Sequence, residues 1–303
     1  MKKTAPIALF VYNRPEHTKK TVAALQKNFL AKESELFIFS DGSKNESDTI
    51  KIIEVRNYLK TISDFKSVNI IERDKNFGLA NSIIYGVTKI INQYGKIIVM
   101  EDDLISSKYF LQYMNEALDL YENEDNVISI HGYVYPIEDK LKEKLPETFF
   151  LKGADCWGWA TWKRGWDLFE PDGGKLLREL EERNLLREFD FGGSYPYSNM
   201  LRRQIAGQND SWAIRWYASA FLRDKLTLYP RESLIQNIGM DNSGTHKGKS
   251  LIRRSAITDE KINIRSIKIS EQGNIKKNIV QYFKSIKPSI IKVIINKIQH
   301  PFS

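Results

Sequence analysis

Short apolar runs alternate with amphipathic segments along the first 131 residues. Runs of four to six residues, rich in β-branched and aromatic side chains, predict buried strands at 7–12, 35–40, 67–72, 97–100 and 127–131. Amphipathic segments between them predict helices at about 15–28, 47–59, 81–94 and 108–123. Strands that alternate with helices of this length form βαβ units, so we predict an α/β fold with a mostly parallel central sheet.

The pattern is less regular after residue 131. Four tryptophans lie within residues 157–166, which suggests an aromatic-lined cleft, although core packing would also explain them. Further on, the sequence predicts helices at about 175–189 and 213–224 and a short strand at 226–230. From residue 275, lysines alternate with isoleucines in a pattern typical of a basic amphipathic helix.

Composition indicates a globular protein. Apolar residues make up 42% of the 303 residues and charged residues 28%, enough to bury a sizeable core. The single cysteine, Cys156, excludes an intrachain disulfide and a zinc site built from cysteines, and it favours a reducing compartment. We expect no signal peptide, because the first apolar run ends at Asn13-Arg14-Pro15, and no membrane-spanning helix.

The net charge of +8 is a property of the C-terminal part of the chain. Residues 247–303 contain 13 basic and 3 acidic residues, whereas the remaining residues contain 33 basic and 35 acidic ones. A basic tail favours an anionic surface such as membrane lipid. The rest of the chain is slightly acidic and has no recognisable nucleic-acid-reading element, so we expect no nucleic acid partner. A solvated helix packed on the domain is the alternative reading of the tail.

Three carboxylates, Glu101-Asp102-Asp103, directly follow the fourth predicted strand. Ligands bind at the carboxyl ends of strands in open α/β sheets, and clustered oxygen ligands suit Mg²⁺ or Mn²⁺. From these residues alone, a solvated turn with Asp102 or Asp103 as a helix N-cap explains the pattern equally well. The glycine motifs of dinucleotide-binding folds and of P-loops are both missing from the sequence.

Seven short motifs together resemble glycosyltransferases with the GT-A fold, in the broad family 2 group, and are also similar to N-acetylglucosaminyltransferase I-type enzymes. They are Phe10-Val11-Tyr12-Asn13-Arg14-Pro15, Ser40-Asp41-Gly42-Ser43, Asn76-Phe77-Gly78-Leu79-Ala80, Glu101-Asp102-Asp103, Gly158-Trp159-Ala160-Thr161-Trp162, Asp210-Ser211-Trp212 and Gly244-Thr245-His246. The resemblance implies a Rossmann-like GT-A domain over residues 1–250, with a nucleotide-sugar half at 1–131 and an acceptor half at 132–250. Residues 251–303 are then the basic tail.

The resemblance also implies roles at the donor end. Asp103 corresponds to the carboxylate that binds Mn²⁺ or Mg²⁺ directly, and His246 completes the metal shell or touches the diphosphate. Asp41 corresponds to the residue that hydrogen-bonds the base, most often uracil; a turn-stabilising role is the alternative. The other donor-binding residues implied are Tyr12, Asn13, Arg14, Arg73, Asn76, Gly78, Glu101 and Asp102.

At the acceptor end, the resemblance implies a carboxylate that takes the proton from the acceptor hydroxyl. Asp210 is the candidate base, and Asp155 is the competing candidate. For Asp210, the structural alternative is a role as a helix N-cap. Aromatic faces suit the C–H faces of sugars. The candidate sugar-binding residues, for which core packing is the alternative, are Trp157, Trp159, Trp162 and Trp212.

We therefore predict a metal-dependent, inverting glycosyltransferase that moves a sugar from a nucleotide-sugar, such as a UDP-sugar, to a glycan or a lipid-linked acceptor. Its expected place is the cytoplasm or the inner face of the cytoplasmic membrane. A non-catalytic carbohydrate-binding protein of the same fold is one alternative. A sugar-nucleotide pyrophosphorylase is another, but residues 10–15 contain none of the glycines that its phosphate loop needs.

Overall fold

The computed structural model describes residues 3–239, 241 and 256–286. The strands are β1 (Ile7–Val11), β2 (Glu35–Ser40), β3 (Ser67–Glu72), β4 (Lys96–Glu101), β5 (Leu104–Ser106), β6 (Val127–His131), β7 (Thr148–Lys152), β8 (Trp159–Trp162), β9 (Leu226–Pro230) and β10 (Ile235–Asn237). The helices are α1 (Pro15–Gln26), α2 (Glu46–Leu59), α3 (Leu79–Tyr94), α4 (Phe110–Leu120), α5 (Asp139–Lys142), α6 (Lys163–Trp166), α7 (Gly173–Glu182), α8 (Leu186–Phe189), α9 (Tyr197–Ile205), α10 (Trp212–Leu222) and α11 (Gly273–Ile286).

Eight strands form the central sheet in the order β3-β2-β1-β4-β8-β6-β9-β7. Six of them run in one direction, and only β8 and β7 run against it. The prediction of an α/β fold with a mostly parallel sheet is therefore confirmed. The order also places β1, β2, β3 and β4 side by side, so their carboxyl ends lie at one edge of the sheet.

Strand β8 comes from the tryptophan-rich run, which the sequence suggested was a cleft. It lies between β4 and β6, and Trp159 pairs with Val99 on one side and with His131 on the other. A strand in the middle of the sheet has its side chains covered on both faces, so Trp159 and Trp162 belong to the core.

Helices cover both faces of the sheet. The core on one face is formed by side chains from α1, α2 and α4, including Val22, Leu25, Val55, Leu59, Met114 and Leu118. The other core is formed by α3, α6 and α10, including Ile83, Val87, Ile90, Trp166, Trp212 and Trp216. Amphipathic helices packed in this way hold the strand ends, and the loops that follow them, in fixed positions.

The chain from residue 256 to Ile286 packs on the domain. Gln272 N donates to Phe150 O at 3.0 Å, beside an isolated parallel bridge between Phe150 and Glu271. In α11, Ile275, Ile279 and Phe283 are fully buried. This part of the predicted basic tail is thus a packed helix, and residues 287–303 lie outside the described residues. None of the described helices has the length and apolarity that crossing a membrane requires.

Candidate active site

The carboxyl ends of β1 to β4 bring most of the predicted donor residues together. Tyr12, Asn13 and Arg14 follow β1, Asp41 follows β2, and Arg73 follows β3. Glu101 ends β4 and pairs in register with Phe10 of β1, so the acid triplet of residues 101–103 lies beside the loop that carries Arg14. In an open α/β sheet this edge is where a ligand binds.

Arg14 links two members of the acid triplet. Arg14 stands at the N-cap of α1, before Pro15 at the first helical position. Its Nη2 donates to Asp103 Oδ2 at 2.9 Å and also to Asp102 Oδ1. The Thr21 hydroxyl fixes the Asp102 backbone by donating to its carbonyl at 2.8 Å. The carboxylates are therefore held by the first turns of α1.

Three carboxyl groups crowd around the single guanidinium of Arg14 at the end of β4. Burial raises the pKa of Glu101 to about 8, and the charges of Asp103 and Asp102 add to the shift. Burial also raises the pKa of Asp102, although Arg14 acts in the opposite direction. The pKa of Arg14 is raised because its two carboxylate partners outweigh the effect of burial. Burial and mutual repulsion thus disfavour the charged forms of these carboxyl groups, and a cation bound beside them would favour those charged forms.

These residues fit a divalent cation. Among the described residues, no three side chains of the metal-binding types already converge on one point. Mg²⁺ needs no such cage, because it is held by one or two carboxylates together with water and substrate phosphates. Asp103, with Glu101 and Asp102 beside it, would supply carboxylate oxygens for such an ion.

The pairing of β5 with β10 brings Gly239 onto this cluster, a contact that the sequence did not predict. Ile238 N donates to Asp103 O at 2.8 Å, which continues the ladder between β10 and β5. A Cβ atom added to Gly239 would lie 2.0 Å from Asp103 Oδ2 and 2.9 Å from Arg14 Nη1. Only glycine therefore allows this close approach of the backbone.

We expect Gly239→Ala to lower the free energy of unfolding by about 1–3 kcal/mol, the usual range for overpacking a filled site. The methyl group would force Asp103 or Arg14 to move. Chemical denaturation measures the effect. Gly273→Ala is the control, because a Cβ at Gly273 meets no atom within 4 Å. Equal stability of the two variants would show that Gly239 does not need its close contact.

Asp41 ties the end of β2 to the start of α3. Its carboxylate accepts hydrogen bonds from Gly42 N at 3.0 Å, Phe77 N at 2.9 Å and Gly78 N at 3.0 Å. Asn76 Nδ2 adds a bond to Gly42 O at 2.8 Å. Asp41, Asn76 and Gly78 thus form one connected loop structure, which agrees with the turn-stabilising alternative for Asp41.

Arg73, Tyr12 and Asn13 are also engaged with neighbouring side chains. The Arg73 guanidinium is 4.2 Å from the Phe77 ring centre and 3.8 Å from Asp41 Oδ1, and burial lowers its pKa. Its Nη2 is buried without a hydrogen-bond partner in the described part of the chain. Tyr12 and Asn13 donate to Asp48 of α2 at 2.8 and 2.6 Å. Arg73, Tyr12 and Asn13 therefore lie at one edge of the sheet, and their polar groups contact neighbouring residues of that edge.

Asp210 precedes the N-cap of α10 in sequence, and its exposed side chain lies beside the N-terminus of α3. The N-cap of α10 is Ser211, whose Oγ accepts from Ile214 N at 3.2 Å, so Asp210 is not needed as the cap. Asp210 Oδ2 instead accepts a hydrogen bond of 3.3 Å from Ala80 N. The carboxylate keeps most of its hydrogen-bonding capacity, which a base that meets an acceptor from solvent requires.

Asp155 lies in a tyrosine-rich part of the predicted acceptor half, residues 132–250. Its Oδ2 accepts from Tyr135 Oη at 3.1 Å, and its Oδ1 accepts from Cys156 N at 2.8 Å. Burial raises the pKa of the Cys156 thiol, and the charges of Asp155, Glu101 and Asp103 all add to that shift. Cys156 is therefore within electrostatic range of both Asp155 and the acid triplet.

His131, at the end of β6, should make the free energy of unfolding depend on pH. It is fully buried and accepts from Trp157 N, and burial lowers its pKa although Asp155 acts in the opposite direction. Below the usual value of 6.5, the unfolded chain therefore binds a proton that the folded one does not. We expect the free energy of unfolding to fall as the pH drops from 6.5 through the lowered pKa, and to fall less in His131→Gln. An identical pH dependence in thermal or chemical denaturation of the two proteins would contradict this assignment.

The predicted sugar-binding tryptophans divide into two groups. Trp157 is half-buried, with its ring centre 4.7 Å from that of Tyr133. Trp159, Trp162 and Trp212 are at most 4% exposed, and Trp159 stacks on Trp212 at 5.5 Å. The burial of these three side chains agrees with the core-packing alternative, because β8 is a central strand and α10 packs against it. His246, predicted to act at the metal, lies outside the described residues.

The chain belongs to glycosyl transferase family 2: the model of that family matches residues 7–169, more than half of the chain. The α/β architecture, with its mostly parallel sheet flanked by helices, is that of the GT-A glycosyltransferases. The predicted likeness to N-acetylglucosaminyltransferase I-type enzymes stays a prediction. No protein of curated function matches the sequence.

Solved structures similar to this chain include a mannosyltransferase and S. aureus TarS. The mannosyltransferase PcManGT from Pyrobaculum calidifontis, in complex with GDP-Man and Mn²⁺, is 11% identical with a TM-score of 0.33, and the match covers 45% of this chain and 37% of that one. S. aureus TarS 1–349, in complex with UDP, is 14% identical with a TM-score of 0.30, with coverage of 43% and 38%. The chain thus spans less than two fifths of the length of either structure.

Proposed function

We propose that this protein is a metal-dependent, inverting glycosyltransferase that moves a sugar from a nucleotide-sugar, such as a UDP-sugar, to a glycan or a lipid-linked acceptor. The observation that carries the proposal is the acid triplet at the carboxyl end of β4, where Arg14 bridges Asp102 and Asp103 at the edge of the sheet at which ligands bind. The site lies in a chain that belongs to glycosyl transferase family 2.

Each side chain at the strand ends has a proposed part in this reaction. Asp103 would hold a Mn²⁺ or Mg²⁺ ion, and Glu101 and Asp102 would support it from the same strand end. A bound divalent ion offsets the negative charge that develops on the leaving nucleoside diphosphate. Arg14 faces the diphosphate. Asp41, Asn76 and Gly78 shape the edge at which the base lies, through the loop that they hold together.

At the acceptor side, Asp210 is the proposed base and Asp155 the competing one. A direct displacement at the anomeric carbon needs one carboxylate to remove the acceptor proton. Asp210 is exposed and has one hydrogen bond of 3.3 Å in the described structure. Trp157, half-buried near Asp155, is the proposed sugar-stacking residue among the four tryptophans.

A donor panel tests the proposal. The full chain is incubated with UDP-, GDP- and dTDP-sugars, with Mn²⁺ or with chelator, and without acceptor. We expect slow, Mn²⁺-dependent release of nucleoside diphosphate from one donor, because such a site admits water in place of the acceptor. Absence of both turnover and nucleotide binding, with and without Mn²⁺, would rule out the transferase and favour a non-catalytic carbohydrate-binding protein.

We further propose that residues 287–303 attach the protein to the inner face of the cytoplasmic membrane. This segment contains Lys287, Lys292 and Lys297 among isoleucines, and each lysine near an anionic surface contributes about 1 kcal/mol. Truncation after Ile286 should therefore weaken binding to phosphatidylserine vesicles about a hundredfold. It should leave donor hydrolysis unchanged, since it retains the buried side chains of α11.

Vesicle co-sedimentation measures this effect. Truncation at residue 270 is the matched comparison, because it also removes Ile275, Ile279 and Phe283 from the core and should destabilise the fold. Vesicle binding that survives removal of residues 287–303 would place the membrane contact elsewhere, or would show that there is none.

A further inference from the structure

The Arg14 guanidinium lies between the two carboxylates that a cation would use. Its Nη2 contacts both Asp102 Oδ1 and Asp103 Oδ2. The side chains of Arg14, Asp102 and Asp103 are 17%, 5% and 14% exposed, so solvent screens this contact little. A single nitrogen that donates to both carboxylates occupies the place between them.

Gly239 also lies against this contact. A Cβ on Gly239 would lie 2.0 Å from Asp103 Oδ2 and 2.9 Å from Arg14 Nη1, so the backbone of Gly239 packs closely on the bridge from Arg14 to Asp103. A cation that binds Asp103 Oδ2 at the place that Arg14 Nη2 holds therefore requires Arg14 to move. A guanidinium and a divalent cation repel each other strongly at contact distance in a partly buried site. Both cannot sit on the same carboxylate oxygens.

We propose that Arg14 is a built-in substitute for the cation, and that it must leave the Asp102 and Asp103 carboxylates before Mn²⁺ binds there. The inference rests on the proposed function in taking this triplet as the cation site. Without nucleotide, Arg14 neutralises part of the triplet and competes with Mn²⁺. An arriving diphosphate gives the displaced guanidinium an anionic partner, so cation and nucleotide load together.

The experiment measures Mn²⁺ affinity of the full chain without any nucleotide, by calorimetry or by the electron paramagnetic resonance signal of free Mn²⁺. We expect Arg14→Gln to bind Mn²⁺ about tenfold or more tightly than the wild type, because the competing charge is gone. Arg14→Lys should lie between the two, since one ammonium group replaces the planar fork of donors. The control Arg203→Gln, which removes an exposed positive charge from α9, should change the affinity by less than about twofold.

A role for Arg14 in holding the triplet in shape for the metal predicts the opposite order. Loss of Mn²⁺ affinity, or unchanged affinity, in a folded Arg14→Gln protein would overturn the proposal, as would the absence of measurable Mn²⁺ binding in every variant. Circular dichroism checks the fold. If Arg14→Gln does not fold, Arg14→Lys, which keeps the charge, decides the question by the same criterion.

Failure of this inference is distinguishable from failure of the proposed function. The affinity order is measured with Mn²⁺ alone, whereas the transferase is tested with nucleotide-sugars. If a donor is turned over but Arg14→Gln does not bind Mn²⁺ more tightly than the wild type, the transferase proposal stands and the proposal for Arg14 fails. If the variants show the expected order of Mn²⁺ affinities but no donor is turned over, the proposal for Arg14 stands and the transferase proposal fails.

Discussion

Replacing Asp103 by asparagine should reduce Mn²⁺-dependent release of nucleoside diphosphate by about a thousandfold or more. The substitution keeps the shape of the side chain and removes the charge that binds the ion. A divalent ion at a leaving diphosphate contributes several kcal/mol to the transition state, and each 1.36 kcal/mol is worth about a factor of ten in rate. We also expect nucleotide binding to lose its dependence on Mn²⁺, because Asp103 is the proposed direct ligand.

The effect on the fold should be small by comparison. Asparagine can still accept a hydrogen bond from Arg14 through its amide oxygen, and Ile238 N binds the backbone carbonyl of residue 103, which the substitution leaves in place. Asp167→Asn is the matched control: it removes one exposed carboxylate that pairs with Lys163 at i,i+4 spacing. Retention of Mn²⁺-dependent turnover in Asp103→Asn would move the metal site away from the triplet.

The parallel half of the fold could be predicted because its elements are local in sequence. Strands β1 to β4 and β6 are short apolar runs separated by amphipathic helices, and each falls where the pattern indicates. Strand β8 was missed because four residues of the sequence Trp-Ala-Thr-Trp carry too little periodicity to separate a strand from a loop. The ladder of β5 with β10 joins Ser106 to Ile235, a pairing that no local pattern contains.

In the candidate site, too, the positions of residues along the strands could be predicted, whereas their contacts could not. The strand-end positions of Arg14, Asp41, Arg73 and Asp103 follow from the alternating pattern, because parallel neighbours bring their ends to one edge. Which side chains then bind each other depends on distances that the sequence does not contain. The bridge from Arg14 to Asp102 and Asp103 and the commitment of Asp41 to backbone N–H groups emerged only from the structure.

For the C-terminal tail, the sequence pattern does not show what the apolar face of the helix contacts. A helix with lysines and isoleucines at residues 275–286 has the same periodicity whether its apolar face meets a membrane or a protein core. For α11, the apolar face meets the protein core, because the ring centre of Phe283 lies 5.0 Å from that of Tyr135 and 4.7 Å from that of Tyr195. Tyr135 in turn binds Asp155. The helix therefore packs on the part of the domain that carries Asp155, and the membrane proposal concerns only the residues beyond the helix.

The choice between the two candidate bases is the second prediction with a large expected effect. We expect Asp210→Asn to lower the rate of transfer by roughly 10²–10⁴-fold, the usual contribution of a general base, and to leave donor binding unchanged. The asparagine amide oxygen can still accept from Ala80 N, so the start of α3 should keep its structure. Asp155→Asn is the matched comparison, since it too is isosteric and can still accept from Tyr135 or Cys156 N.

With Asp210 as the base, Asp155→Asn should keep transfer within about tenfold of the wild type, because it removes a charge near the site and no proton acceptor. Single-turnover transfer to the acceptor and Mn²⁺-dependent binding of the nucleoside diphosphate are measured on both variants, so that a loss of chemistry is separated from a loss of donor binding. A large loss in Asp155→Asn alone would assign the base to Asp155. Full transfer by both variants would mean that neither carboxylate removes the acceptor proton.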